Sequence, residues 1–195
     1  MNLVRLSGTV VAAVLIVACG PIGSGDLVSE DREVGEFEGI QVSGGIDLVL
    51  TVDPAADVSV TVVYDDNLLE RIETEVEGTT LVIRSRGSYT VSGPGRHVEV
   101  TTPALEELAA SGGSDVDGSG TLDMLVIAAS GGSDLDLSDL VAGSVSVNAS
   151  GGSDVTVNVT EEVVGSASGG SNLTILGDPT SQRVDVSGGA DVSNE

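Results

Sequence analysis

A repeated phrase in this chain carries an acid at a fixed place. Asp115, Asp134 and Asp154 each follow Ser-Gly-Gly-Ser, Asp191 follows Ser-Gly-Gly-Ala, and Asn172 holds the same place between the last two. Asp47 occupies it in an upstream copy, 43-SGGIDL-48. Carboxylates at one repeat position stack if the repeat stacks. At ~4.8 Å, neighbouring charges repel by about 0.9 kcal/mol in water, and several-fold more where partly buried. Two chemistries relieve this. Turn N–H groups can take the carboxylates as caps, or a hard cation such as calcium can bind weakly between them. Calcium-binding β-rolls repeat Gly and Asp about every nine residues, about half the spacing here. Turn capping is therefore the first reading of Asp47, Asp115, Asp134, Asp154 and Asp191, and weak calcium binding the second.

No other constellation reaches the standard of a reactive site. His97 is the single histidine and sits beside Arg96, with no Cys or second His to complete a transition-metal site. Serines are plentiful in Gly-rich turns, but the chain has no Lys, and one His would have to serve alone as base. Polysaccharide cleavage on an extended β surface needs carboxylates clustered with basic groups, and Arg84, Arg86 and Arg96 form the only basic grouping. The expectation is a non-catalytic protein with no cofactor beyond the weak calcium reading. Asn148-Ala149-Ser150, Asn158-Val159-Thr160 and Asn172-Leu173-Thr174 match glycosylation acceptors, and are read as by-products of Ser/Thr-rich strands. With 31 acids against seven Arg and a net charge of −24, nucleic acid is excluded as a partner, and a hydrated, self-repelling surface is expected.

The first residues read as an address. Arg5 precedes an apolar run from Val10 to Ala18, shorter than the ~20 residues of a membrane span and matching a signal-peptide core. The run ends in Ile16-Val17-Ala18-Cys19, which resembles the bacterial lipobox. That resemblance implies cleavage after residue 18 and a diacylglycerol on the Cys19 sulfur. Acyl chains contribute about 0.8 kcal/mol per buried methylene. The division expected is a signal peptide over 1–18, a lipidated Cys and flexible Gly-rich tether over 19–33, and one domain over 34–195. The protein would be exported and held on the bacterial cell membrane, facing away from the cytoplasm.

The elements that must position the acids follow from the repeat itself. Corners begin at Ser111, Ser130, Ser150, Ser168 and Ser187, at spacings of 19, 20, 18 and 19 residues. A blurred copy, 92-SGPGRHV-98, starts 19 residues before Ser111. Before each corner, apolar residues alternate with polar ones, as in Leu108/Ala110, Ile127/Ala129 and Val147/Ala149; the Ser168 copy weakens to Gly165/Ala167. After each corner the alternation resumes, as in Leu135/Leu137 and Val155/Val157. Period-2 patterns mean strands with one buried face. Aromatics are 2% of the chain, so the core must be aliphatic and thin. Nineteen residues at ~3.3 Å give a coil about 60 Å around. The fold class expected is all-β: a right-handed parallel β-helix, or solenoid, with ~19-residue coils. An antiparallel sandwich or barrel is the alternative and calls for turns every 8–12 residues. Residues 58-VSVTVVYDD-66 and 72-IETEVEGTTLVIRS-85, the latter a hairpin around Gly78, would supply irregular first coils. The stretch 65-DDNLLERI-72 would hold a helical turn capped by an Asp.

The run from Gly39 to Ser85, followed by the SGGSD corners, resembles the bacterial "putative auto-transporter adhesin, head GIN domain" family. The Gly-Ile-Asn of that name is matched by Gly45-Ile46-Asp47, where Asp replaces Asn. The resemblance covers about residues 34–192 and implies an exported or lipid-anchored β-helical envelope protein, with no catalytic residues to carry over. The function expected is a displayed head that binds or adheres to polar ligands, such as glycans or other envelope proteins. The alternative is a structural or regulatory envelope protein that self-associates through its edges.

Overall fold

The computed structural model describes residues 20–91 and 93–195. Cys19 and the apolar run before it lie outside the described residues. The described chain is all-β, with strands β1 (Leu27–Asp31), β2 (Gly39–Ser43), β3 (Leu48–Val52), β4 (Ser59–Asp65), β5 (Ile72–Glu77), β6 (Thr80–Ser85), β7 (His97–Thr102), β8 (Glu107–Ser111), β9 (Asp115–Ala129), β10 (Asp134–Ala149), β11 (Asp154–Ala167), β12 (Asn172–Leu176), β13 (Ser181–Val186) and β14 (Asp191–Asn194). All belong to one open, curled sheet, whose path runs β1-β4-β7-β3-β9-β10-β11-β12-β14 without closing.

The sheet has two wings. One continues β7-β3-β9-β10-β11-β12-β14 through the residues that follow each glycine corner. The other, β5-β6-β2-β8-β9-β10-β11-β13, pairs the residues that precede each corner. The long strands β9, β10 and β11 belong to both, and register shifts at Asp136/Asp139 and Leu137/Val141 mark where they bend from one wing to the other. Apolar alternation explains which face is buried. In β10, Leu135, Leu137, Val145, Val147 and Ala149 point inward and are at most 2% exposed, whereas Asp134 and Asp136 point out. Each such Leu or Val side chain contributes about 1.5–3 kcal/mol on leaving water.

Pairing across the corners is parallel. Asp115 pairs Asp134, Asp134 pairs Asp154, Asp154 pairs Asn172, and Asn172 pairs Asp191, at offsets of 19, 20, 18 and 19 residues. The neighbour of the Ser111 corner on its other side is not the one its sequence suggests. The 92-SGPGRHV-98 copy precedes it in the chain, but Gly39–Val52 lies between the two. Ser43 pairs Ser111 and Leu48 pairs Val116, while β3 meets β7 on its far side and β2 meets β6. The chain lays down β2 and β3, leaves to build the end of the stack, and returns over them at β8.

That end is antiparallel. β4 lies against β7, β1 against β4, and β5 against β6 in a hairpin through Gly78, where φ is +70°. The helical turn is a single 3-10 turn, Leu69–Arg71, led by Leu68 with no side-chain cap. Of the two Asp residues before it, Asp65 pairs with Arg96 and Asp66 accepts from Ser24 Oγ at 2.6 Å. The segment expected as a flexible tether is also corrected. Residues 27–31 form β1, and Pro21–Gly23 bond to Thr90 through Thr90 N–H to the Pro21 carbonyl (3.0 Å) and Gly23 N–H to the Thr90 carbonyl (2.8 Å). The reason is the bare edge of β4, whose N–H and C=O groups need partners that β1 supplies.

Candidate functional site

The post-corner wing sets the acids in a row. Asp47, Asp115, Asp134, Asp154, Asn172 and Asp191 are all exposed, at one position per layer. Asp117 and Asp136 pair two residues further along and make a second, shorter row on the same face. Of the family-like triplet, Gly45 is the second corner glycine (φ +70°) and Ile46 is wholly buried, while Asp47 heads the row.

The acids do not cap the corners. Among the described residues, no backbone N–H donates to the carboxylates of Asp115, Asp134 or Asp154, and Asp191 takes only its neighbour Val192's N–H at 3.0 Å. At four of the row positions the serine just before does that work. Ser114, Ser133, Ser153 and Ser171 point inward and are at most 1% exposed. Ser133 Oγ donates to the carbonyls of Ser130 (3.1 Å) and Ala110 (3.3 Å), the second of these in the adjoining layer. Ser153 Oγ reaches Ala129 (3.3 Å) and Ser171 Oγ reaches Ala149 (3.2 Å), while Ser114 Oγ accepts the Ile46 N–H (3.2 Å). A buried hydroxyl must find a partner, and each such bond contributes about 0.5–1.5 kcal/mol. The sequence signal was present in the second Ser of Ser-Gly-Gly-Ser. It falls on the inward side of the alternation that places Asp outward.

With capping taken over by serine, the row keeps its repulsion. Burial, then the charges of Asp115 and Asp154, raise the Asp134 carboxyl above its ordinary range. Burial, then Asp115 and Asp117, raise Asp47 as well, and His97 opposes the rise. Hydrogen bonds from Ser138 lower Asp136. Asn172 gives the row a donor, its Nδ2 reaching Asp154 Oδ1 at 2.6 Å. The other two acceptor-like asparagines also serve strand-to-strand bonding: Asn158 Nδ2 donates to the Ser138 carbonyl, and Asn148 Oδ1 accepts from Ser166. Among the described residues, no three His, Cys, Asp or Glu side chains gather as a metal-ligand group.

A carboxyl raised in the fold opposes folding once ionised, so stability should rise as pH falls from neutral through the raised values of Asp47 and Asp134. Asp134→Asn is expected to raise the melting temperature at pH 7 and to shrink that rise. The gain is under about 1 kcal/mol after solvent screening, and 1 M salt should mimic it in the wild type. Thermal melts from pH 4 to pH 8 check this.

The basic grouping divides. Arg84 meets Glu73 (2.8 Å), Glu77 (2.9 Å) and Glu75 (3.7 Å) across the hairpin, and Arg86 also pairs with Glu73. Arg96 is buried and pairs with Asp65. His97 Nε2 lies 2.9 Å from Glu99 Oε1. Beyond the end of β3 and along the middle of β9, Val52, Pro54, Leu105, Leu122 and Met124 line an open groove of about 500 Å³.

Comparison with known proteins bears on this geometry. A crystal structure named as a "putative adhesin" from Bacteroides fragilis shares the fold at a TM-score of 0.60, with 19% identity over 90% of this chain and 100% of that one. A "putative adhesin" from Parabacteroides merdae aligns at 0.46, with 15% identity over 89% of this chain and 98% of that one. A "putative lipid binding protein" from Parabacteroides distasonis aligns at 0.43, with 18% identity over 88% and 98%. A search of curated proteins gives no match. The family model described as "putative auto-transporter adhesin, head GIN domain" matches residues 36–124 and 107–179, which together cover β2 to β12, and the chain belongs to that family.

Proposed function

We propose that the protein is a non-catalytic, lipid-anchored head of the bacterial envelope, exported and held through Cys19, which binds polar ligands on its post-corner face. In this reading the layers form a right-handed parallel β-solenoid of ~19-residue coils, the hand favoured for parallel crossovers. The observation that carries the proposal is the exposed row Asp47, Asp115, Asp134, Asp154, Asn172 and Asp191, in register and uncommitted to turn N–H groups. Carboxylates repeating about every 4.8 Å accept hydrogen bonds from hydroxyl or amide donors along an extended partner, such as a glycan or another envelope protein. The family's name supports adhesion and supplies no catalytic group.

The test is capture of envelope polysaccharides on a glycan array, with wild type beside the triple variant Asp115→Asn, Asp134→Asn, Asp154→Asn. Binding weakened about tenfold or more in the variant is expected if a charge-assisted bond worth about 1.5 kcal/mol is lost. Blank arrays, or equal binding by both proteins, overturn it. The weak calcium reading is separable. Millimolar calcium must raise the melting temperature if the folded row binds it.

Self-association is the second reading. It is favoured by β13 and β14, which among the described residues each pair on one side only, and by Val186, which is 52% exposed beside that edge. Light scattering that reports a monomer at high concentration removes it.

A further inference from the structure

The described chain leaves no slack where a tether was expected. Gly20 packs so closely on the Ser88 carbonyl that a Cβ would lie 1.8 Å from its oxygen, and Pro21 and Gly23 bond to Thr90. Asn67 holds the next stretch, its Nδ2 donating to the Ile22 carbonyl (2.9 Å) and its Oδ1 accepting the Ser24 N–H (3.0 Å). Gly25 N–H then bonds to Asp65. From Gly20 onward the backbone is docked, so a lipid on Cys19 would sit one residue from the folded surface.

That region exposes aliphatic side chains beside Asp26 and Asp66. Ile22 is 68% exposed, Val91 beside Thr90 is 39% exposed, and Leu27, which reaches the backbone at Gly95, is 41% exposed. We propose that this corner is a membrane seat: Ile22, Val91 and Leu27 enter the lipid headgroup region beside the Cys19 acyl chains and hold the head against the bilayer in one orientation. The inference rests on the lipid-anchor reading above. Exposed aliphatics beside an acyl anchor gain by partitioning about 5–10 Å into the headgroup boundary. The corner at β14 then faces away from the membrane, about 38 Å along eight strand-to-strand steps.

The chain has no Trp, so single probes are clean. Full-length protein from a bacterial host is reconstituted into vesicles of brominated phosphatidylcholine, as Ile22→Trp, Val91→Trp and Ser193→Trp. All three positions are exposed, and two of them report on the seat. The expected result is blue-shifted, quenched emission at positions 22 and 91 and unquenched emission at 193. Mass spectrometry of Cys19 separates the two claims. A diacylglycerol on Cys19 with positions 22 and 91 no more quenched than 193 overturns the seat alone. An unmodified Cys19 overturns the anchor reading and the seat with it.

Discussion

Arg96→Met is expected to destabilise the fold by about 3–5 kcal/mol, the cost of stranding a buried charge. The charge is Asp65, which is wholly buried at the end of β4. Its carboxylate takes Arg96 Nε on Oδ2, and on Oδ1 both Arg96 Nη2 at 2.9 Å and the Gly25 N–H at 2.6 Å. Arg96 in turn donates Nη1 to the Gly93 carbonyl at 2.7 Å. Gly23 closes the site, since a Cβ there would sit 2.7 Å from the carboxylate. A buried pair of this kind adds little net stability over an apolar pair of the same volume, so Asp65→Leu with Arg96→Met should recover much of the loss. Urea titration of both single variants and the double completes the cycle. If Arg96→Met falls within about 1 kcal/mol of wild type, the pair is solvated and residues 23–25 do not cover it. The same site sets the acid limit. Hydrogen bonds from Arg96, opposed by burial and helped by Gly25, hold Asp65 at about 2. A depressed carboxyl stabilises the fold above its unfolded value of about 4, and that contribution is lost as pH falls through about 2. With Asp47 and Asp134 acting in the opposite sense, stability should rise on mild acidification and then collapse at strong acidity.

The second large effect is expected at Gly165, the residue that breaks the apolar alternation before the Ser168 corner. Gly165→Ala should cost about 3 kcal/mol or more. Its φ is +149°, and a Cβ would lie 1.8 Å from the carbonyl oxygen of Val147, its partner in the adjoining strand. Neither backbone can retreat, because both are held in the same parallel ladder. Gly152→Ala is the control. That corner glycine also has positive φ, at +84°, but its absent Cβ faces open space, so only the left-handed backbone penalty of about 1–2 kcal/mol remains. Equal losses in the two variants would mean that strand-to-strand contact does not set the requirement at position 165.

Much of the architecture was legible because it is local. The corner, the alternation around it and its return about every nineteen residues lie within each repeat, and the pairing offsets coincide with the corner spacings. The outward row of acids follows from the same alternation. The corner's internal bonding is not legible locally, since Asp and Ser can both close turns, and only their position on the pleat decides between them. Asp115, Asp134 and Asp154 fall outward, and Ser114, Ser133 and Ser153 inward against carbonyls.

By itself, the sequence determined the repeat, the buried aliphatic face, the exposed acids and the hairpin at Gly78, because each depends on residues within one strand-turn-strand unit. Tertiary structure alone decided that β2 and β3 lie between the antiparallel end of the stack and the Ser111 layer, that Asp65 meets Arg96, and that residues 20–31 dock instead of hanging free. The physical reason is that backbone ladders offer the same N–H and C=O groups to any strand. Which strand arrives is settled by long-range closure of the open edge, and no period in the sequence records that choice.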